Sequence, residues 1–124
     1  MQSLRSVFIG SAALAFAFAA PAFAHHGWSG QATDTSEITG TVVQDVSLAG
    51  PHATMKVNAE GHVWDITLAP PFRTQAAGLR SGVIPMGSTV TIHGNRNRDG
   101  NRFEMKTSQV RWGDKLFNVY PERD

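Results

Sequence analysis

The residues of this chain best suited to metal chemistry are its five histidines: His25, His26, His52, His62 and His93. The first two directly follow Ala22-Phe23-Ala24, a small-x-small sequence typical of a signal-peptidase site. Cleavage after Ala24 makes His25 the first residue of the mature chain. Its free α-amino nitrogen and a nitrogen of its own ring can then chelate one metal ion together. The sequence therefore predicts a nitrogen-rich metal site at the mature N-terminus.

A third nitrogen ligand would complete a T-shaped site, which suits copper(II), the divalent first-row metal that binds nitrogen donors most strongly. His26 is poorly placed to supply it, because adjacent side chains leave an extended backbone on opposite sides. His52, after Pro51 at the start of a strand, and His93, on the outward side of another, are better donors. A different mode would use His26 together with the amine and the intervening amide nitrogen. The spacing does not show the four ligands of a closed structural zinc site.

The alternative interpretation is that His25 and His26 form only a solvated terminus compatible with cleavage. Two terminal histidines bind copper or nickel in almost any context, so metal binding alone does not demonstrate a built site. His62 follows Gly61 in a predicted turn and is expected to be a polar surface residue rather than a ligand.

Residues 1–24 have the parts of a cleavable secretion signal. Arg5 supplies the positive start, an apolar run extends from Val7 to Ala20, and the cleavage site follows. This run is shorter than the ~20 residues of a membrane-spanning helix. We therefore predict a periplasmic protein with no stable membrane insertion after cleavage.

Composition limits the classes of function. Removing 24 of the 124 residues leaves 100, which is the size of a single domain. One of the eleven basic residues lies in the signal, so the mature chain has ten basic and ten acidic residues and no net charge. This balance argues against nucleic acid as a partner. The absence of cysteine excludes disulfides, thiolate metal sites and a cysteine nucleophile.

A polar arm is predicted at residues 25–36, and from residue 37 apolar and polar residues alternate with the period of half-buried strands. Three strands end at Pro70-Pro71, and a helix-permissive segment follows at residues 72–79. Two further strands are joined through an Asp99-Gly100 turn. The first strand is long, and Gly40 within it suggests a bend or bulge. This order predicts an all-β protein with one short helix. The predicted fold is a small OB-fold-like barrel of five to six strands over residues 37–120, with a frayed C-terminus at 121–124.

Apolar spacing gives finer predictions within the barrel. Phe103 and Met105 have the opposite parity to Val110 and Trp112, which predicts a bulge near Thr107-Ser108. The apolar side chains predicted to enter the core are Trp64, Phe72, Leu79, Phe103 and Trp112.

A basic hairpin offers a second kind of site, formed by Arg96, Arg98 and Arg102. It supports an alternative function: an envelope adaptor that binds a small ligand or a protein through the barrel face, with no metal role. No Gly-x-Ser-x-Gly elbow is present, and neither Asp65 nor Glu104 has an evident partner. The sequence thus predicts a binding protein, with an envelope protein or a metal ion as its partner, rather than an enzyme.

Several short motifs resemble one family of small exported bacterial proteins, the domain-of-unknown-function family six-one-five-two. They are the start at His25, His26 and Trp28, then Gly40-Thr41-Val42, Pro51-His52-Ala53 and Lys115-Leu116-Phe117. The family usually has an asparagine before its Pro-His-Ala and an aromatic residue just upstream, whereas this chain has Gly50, Ala49 and Leu48 there. The resemblance implies an exported protein with a small barrel fold and implies no particular activity.

Overall fold

The computed structural model describes Trp28 and residues 30–123; the predicted signal peptide, His25 and His26 lie outside the described residues. Six strands, one α-helix and one turn of 3-10 helix form the domain: β1 (Ser36–Ser47), β2 (Thr54–Ala59), β3 (His62–Thr67), α1 (Pro71–Ala76), β4 (Thr89–Arg96), β5 (Glu104–Trp112), β6 (Lys115–Asn118) and η1 (Pro121–Arg123). Within this part of the chain, no helix is long and apolar enough to span a membrane.

The strands close into a barrel. Their order is β3-β2-β1-β4-β5-β6, and β3 also pairs with β5. All the pairings are antiparallel except β3 with β5, which is parallel and joins Asp65–Thr67 to Glu104–Lys106. Five strands therefore form a closed mixed barrel, and β6 extends the sheet beyond it. This confirms the predicted OB-fold-like barrel with one short helix.

The core follows the alternation of apolar residues in the sequence. Trp64 and Ile66 of β3 and Val42 of β1 are buried in one apolar cluster. The polar residues that alternate with the apolar ones face outward. Lys56 of β2 and Asp65 of β3, for example, form an exposed cross-strand ion pair of 3.2 Å. Burial on alternate sides fixes the strand register, because a slip of one residue would expose the whole apolar set.

Gly40 lies at a close approach of β1 to β2. A Cβ atom at this position would overlap the carbonyl oxygen of Asn58 on β2. The β1–β2 register becomes irregular further along, between Val42 and Gln44 and again before Ser47. The predicted irregularity of the first strand is therefore present, but Gly40 itself serves a close backbone approach.

The predicted bulge of the fifth strand is confirmed. His93 pairs with Gln109 while the next residue, Gly94, pairs with Thr107, which leaves Ser108 as the additional residue of β5. The bulge shifts the side-chain alternation, so that both Met105 and Val110 reach the core.

The prediction that Phe72 enters the core is wrong. Phe72 is 83% exposed, and Thr74 is the buried residue of the helix. Thr74 Oγ1 donates a hydrogen bond of 2.9 Å to the carbonyl oxygen of Ala69. This bond directs the helix face that carries Thr74 toward the barrel and leaves Phe72 in solvent. Of the other predicted core residues, Trp64 and Leu79 are fully buried, while Phe103 and Trp112 pack against the core from its edge.

The C-terminal residues differ from the frayed end that the sequence suggested. Pro121–Arg123 form a 3-10 turn. Arg73 of α1 donates a 2.6 Å hydrogen bond to Glu122, and the Arg123 guanidinium stacks over the Trp28 ring. The end of the domain is thus bound to both the helix and the N-terminal arm.

Candidate functional site

His52 lies in the loop before β2, at the end of the barrel that carries α1. The next residue, Ala53, donates its backbone N–H to the carbonyl of Ala69 and accepts a bond from Leu68 N–H. These bonds tie the Pro51-His52-Ala53 loop to the segment that leaves β3. Partial burial, and secondarily the positive charge of Lys106, lower the pKa of the His52 imidazole. At neutral pH the ring is therefore an uncharged nitrogen donor.

Lys106 is a charged residue with only 4% of its surface exposed. It lies on β5 between Thr67 of β3 and Asn95 of β4. A Cβ at Gly94 would overlap the Lys106 carbonyl oxygen, so β5 approaches β4 closely only because residue 94 is glycine. Lys106 forms no ion pair with any carboxylate of the described residues.

Two aromatic rings cover the Lys106 ammonium. The Nζ atom is 5.3 Å from the centroid of Trp28 and 5.7 Å from that of Tyr120. The two rings pack edge to face at 5.4 Å. Burial, and next the nearby Arg123, lower the pKa of Lys106 to about 8.

Two guanidinium groups lie against the same pair of rings. Arg123 is 3.8 Å from the Trp28 centroid, and Arg73 is 5.0 Å from the Tyr120 centroid. The residues that meet here form what we call the cationic cluster: Trp28, Arg73, Lys106, Tyr120 and Arg123. Burial raises the pKa of the Tyr120 hydroxyl, so this ring contributes no negative charge at neutral pH. The cluster brings residues from both ends of the described chain together beside His52.

The N-terminal arm reaches the cluster along the edge of β4. Asn95 is buried, and its Nδ2 atom donates to the carbonyl oxygens of Ala32 at 3.0 Å and Asp34 at 3.2 Å. Ala32 N–H donates to the Arg96 carbonyl, and Gln31 pairs with Asn97. These contacts align the arm so that Trp28 lies over Lys106.

His93 occupies a different part of the barrel surface. Its Nδ1 atom lies 3.4 Å from a carboxylate oxygen of Glu37 on β1 and makes no hydrogen bond. His62 is exposed and stacks on Phe103, with ring centroids 3.8 Å apart. In residues 28 and 30–123, no three His, Asp or Glu side chains converge as a metal site would require.

The three arginines predicted as an alternative ligand site contact three different partners within the protein. Arg96 pairs with Glu60 at 3.3 Å and covers the Trp64 ring. Arg98 donates through Nε to the carbonyl of Gln31, and Arg102 lies 3.8 Å from a carboxylate oxygen of Glu104. Each guanidinium group thus contacts a partner within the protein.

Comparison with known proteins agrees with this architecture. The model of a family of unknown function, DUF6152, matches residues 13–109. The chain belongs to this family. The match spans the Pro51-His52-Ala53 loop and β5 as far as Gln109, and so includes Lys106; Tyr120 and Arg123 follow its last matched residue. No curated protein matches the sequence significantly.

A solved structure with a similar fold is the ZRD-deleted mutant of TiaS in complex with agmatine. The TM-score is 0.54 at 10% sequence identity, over 72% of this chain and 27% of the TiaS chain. The present chain therefore corresponds to about a quarter of that protein. At this identity the likeness concerns the barrel alone.

Sequence reasoning missed the cationic cluster of this DUF6152 protein. The sequence patterns singled out neither Lys106 nor Tyr120. One signal was present, because the inward parity of Met105 assigns Lys106 to the outer face. The cover that buries Lys106 comes from Trp28 and Tyr120, which are distant in sequence, and no local pattern reports such a contact.

Proposed function

We propose that this family member is an exported, non-enzymatic binding protein that holds a copper-type metal ion at its mature N-terminus. His25 is the bidentate chelator, through its α-amino and ring nitrogens, and His52 is the third ligand. The role is carriage or buffering of the metal in the periplasm. The observation that carries the proposal is the contact of Trp28 with Lys106, whose charge acts on His52.

Covalent reach supports His52 as the partner of His25. Three residues of extended chain span at most about 10 Å, so the mature N-terminus remains within that distance of the Trp28 backbone. Trp28 is fixed by Tyr120, Lys106 and Arg123 at the end of the barrel where His52 lies. We therefore infer that the arm brings His25 to the histidine of the Pro51-His52-Ala53 loop.

The electrostatics of His52 also favour this role over His93. A metal ligand must present an unprotonated imidazole nitrogen, and burial lowers the pKa of His52 in that direction. His93 instead has its Nδ1 3.4 Å from a carboxylate oxygen of Glu37, on a different part of the barrel surface. We therefore expect the His93 side chain to be dispensable for metal binding.

The positive charges of Lys106 and Arg123 oppose a divalent cation at this position. The metal must therefore bind nitrogen donors strongly enough to offset the repulsion. Copper(II) stands highest in the affinity order of the divalent first-row ions for such donors. Neutralising Lys106 is expected to tighten binding of the metal.

The test uses protein exported by its own signal and purified without a terminal tag. Its intact mass must correspond to a chain that begins at His25. Cu(II) EPR at one equivalent is then recorded for this protein, for the same protein with one added N-terminal residue, and for His52→Ala. The added residue is expected to abolish the native spectrum. His52→Ala is expected to change it and to weaken affinity at least about tenfold, or 1.4 kcal/mol.

His62→Ala and His93→Ala are the matched controls, since both remove an imidazole from the barrel surface. Both are expected to retain the native EPR spectrum and affinity. A mature chain that begins at another residue, or a spectrum that His52→Ala does not change, would contradict the proposed site. Copper would then be bound by the terminal histidines alone, with no ligand from the barrel. In that case the adaptor function is tested instead, by measuring how charge reversal at Arg98 or Arg102 changes binding to envelope proteins.

A further inference from the structure

The cationic cluster has more positive than negative charge. Arg73, Lys106 and Arg123 contribute three cations, and the only carboxylate among the described residues that contacts them is Glu122, paired with Arg73. The Glu122 side chain is 57% exposed and lies at the rim. The described part of the cluster therefore has a surplus of about two positive charges.

These cations are close enough to disfavour one another. After burial, the nearby Arg123 is the second cause that lowers the pKa of Lys106, as a like charge does. Proteins rarely bury a lysine without an anionic partner. The Trp28 and Tyr120 rings attract these cations, but a ring has no net charge and does not remove the surplus.

The arrangement around Lys106 provides what an oxyanion requires. Lys106 Nζ has no carboxylate partner among the described residues, and the nearby Arg123 presents a planar fork of N–H donors. Hydrogen bonds in which both partners are charged are the strongest of their kind in proteins. A ligand with two negative charges would match the surplus.

We propose that the cationic cluster is a binding site for a small dianionic oxyanion of the phosphate type, held by Lys106 and Arg123 beside the Trp28 ring. This site goes beyond the proposed metal function and does not require a metal. It assigns a ligand to the one buried lysine of the barrel wall, which the metal site leaves unused.

The experiment is a calorimetric titration of the mature, metal-free protein with inorganic phosphate at pH 7 and constant ionic strength set with sodium chloride. We expect saturable binding of one phosphate per chain. Loss of one charged donor typically costs 1.5–3 kcal/mol, so Lys106→Met should weaken binding roughly 10- to 100-fold. Arg123→Gln should weaken it by about tenfold or more, and the monoanion acetate should bind more weakly than phosphate.

Lys115→Gln is the matched control, because Lys115 also lies over a tryptophan ring, at 5.5 Å from the Trp112 centroid, but is exposed. This variant is expected to bind phosphate as the wild type does. Arg123 is on the surface, so Arg123→Gln keeps the test valid even where Lys106→Met does not fold.

Heats equal to those of a chloride blank would overturn the proposal. Equal weakening by Lys106→Met and Lys115→Gln would also overturn it, since it would indicate diffuse attraction rather than a site. Because the protein is free of metal and the readout is heat, the outcome is independent of the EPR test of the copper site.

Discussion

Lys106→Met tests whether the buried charge of Lys106 lowers the free energy of unfolding of the barrel. Methionine keeps the unbranched apolar stem under Trp28 and Tyr120 but removes the ammonium group. In the folded protein the pKa of Lys106 is lowered from 10.5 to about 8, chiefly by burial. The folded state therefore binds the Lys106 proton less tightly than the unfolded chain does. Below pH 8 Lys106 is protonated in both states, so the whole difference in proton affinity lowers the stability of the folded protein.

The magnitude follows from the pKa difference. At about 1.4 kcal/mol per pH unit, the burial of charged Lys106 costs the wild type about 3 kcal/mol at pH 7. Loss of the two ring contacts offsets about 1–2 kcal/mol of the gain from removing the charge. We therefore expect Lys106→Met to raise the free energy of unfolding by about 1–2 kcal/mol at pH 7, in buffer without phosphate or metal.

The pH dependence provides the sharper criterion. Between pH 8 and 10.5 the unfolded chain binds more protons at Lys106 than the folded protein does, so wild-type stability rises with pH in this window. The variant has no such group and lacks this rise. Urea unfolding at pH 7, 8, 9 and 9.5 measures the difference between the two proteins. The stability advantage of the variant over the wild type should decrease by at least about 1 kcal/mol from pH 7 to 9.5.

Parallel stability curves for the two proteins would refute the reasoning, because they would mean that folding does not change the pKa of Lys106. A variant less stable than the wild type at pH 7 would show that the ring contacts outweigh the burial of the charge. Lys115→Gln controls for removal of an exposed lysine over a tryptophan and should change stability by less than about 0.5 kcal/mol at every pH.

Three further predictions concern the barrel and its arm. Gly40→Ala should lower the free energy of unfolding by about 2 kcal/mol or more in urea, because its Cβ would overlap the backbone of β2, whereas Gly100→Ala, in open space, should change it by less than about 0.5 kcal/mol. Thr74→Val should cost about 1–2 kcal/mol through its lost buried hydrogen bond, and Phe72→Ala should be nearly silent in the same assay. Asn95→Asp sets a carboxylate against the arm carbonyls and should speed amide hydrogen exchange of residues 31–34.

The barrel was predictable because its determinants are local. Alternation over five to ten residues identifies each strand, and the parity change between Met105 and Val110 locates the bulge that the pairing of His93 and Gly94 confirms. A burial pattern of period two allows only one register at each strand. Order and length of the elements then leave few ways to close the sheet.

The helix face was not predictable in the same way. Apolar spacing gave equal weight to Phe72 and Leu79, but α1 has only six residues and begins at a proline. A single buried bond from Thr74 to the Ala69 carbonyl can orient a helix this short. Hydrophobic periodicity is a weak guide wherever one polar contact outweighs the burial of one exposed ring.

The cationic cluster depends on contacts that join the two ends of the domain. Trp28 is the first of the described residues, Tyr120 follows β6, and Arg123 is the last residue of η1. Their meeting point is set by the closure of β3 on β5 and by the hydrogen bonds of Asn95 to the arm. A change at either terminus therefore acts on the environment of Lys106, so that both proposed sites must be measured on a chain with its own first and last residues.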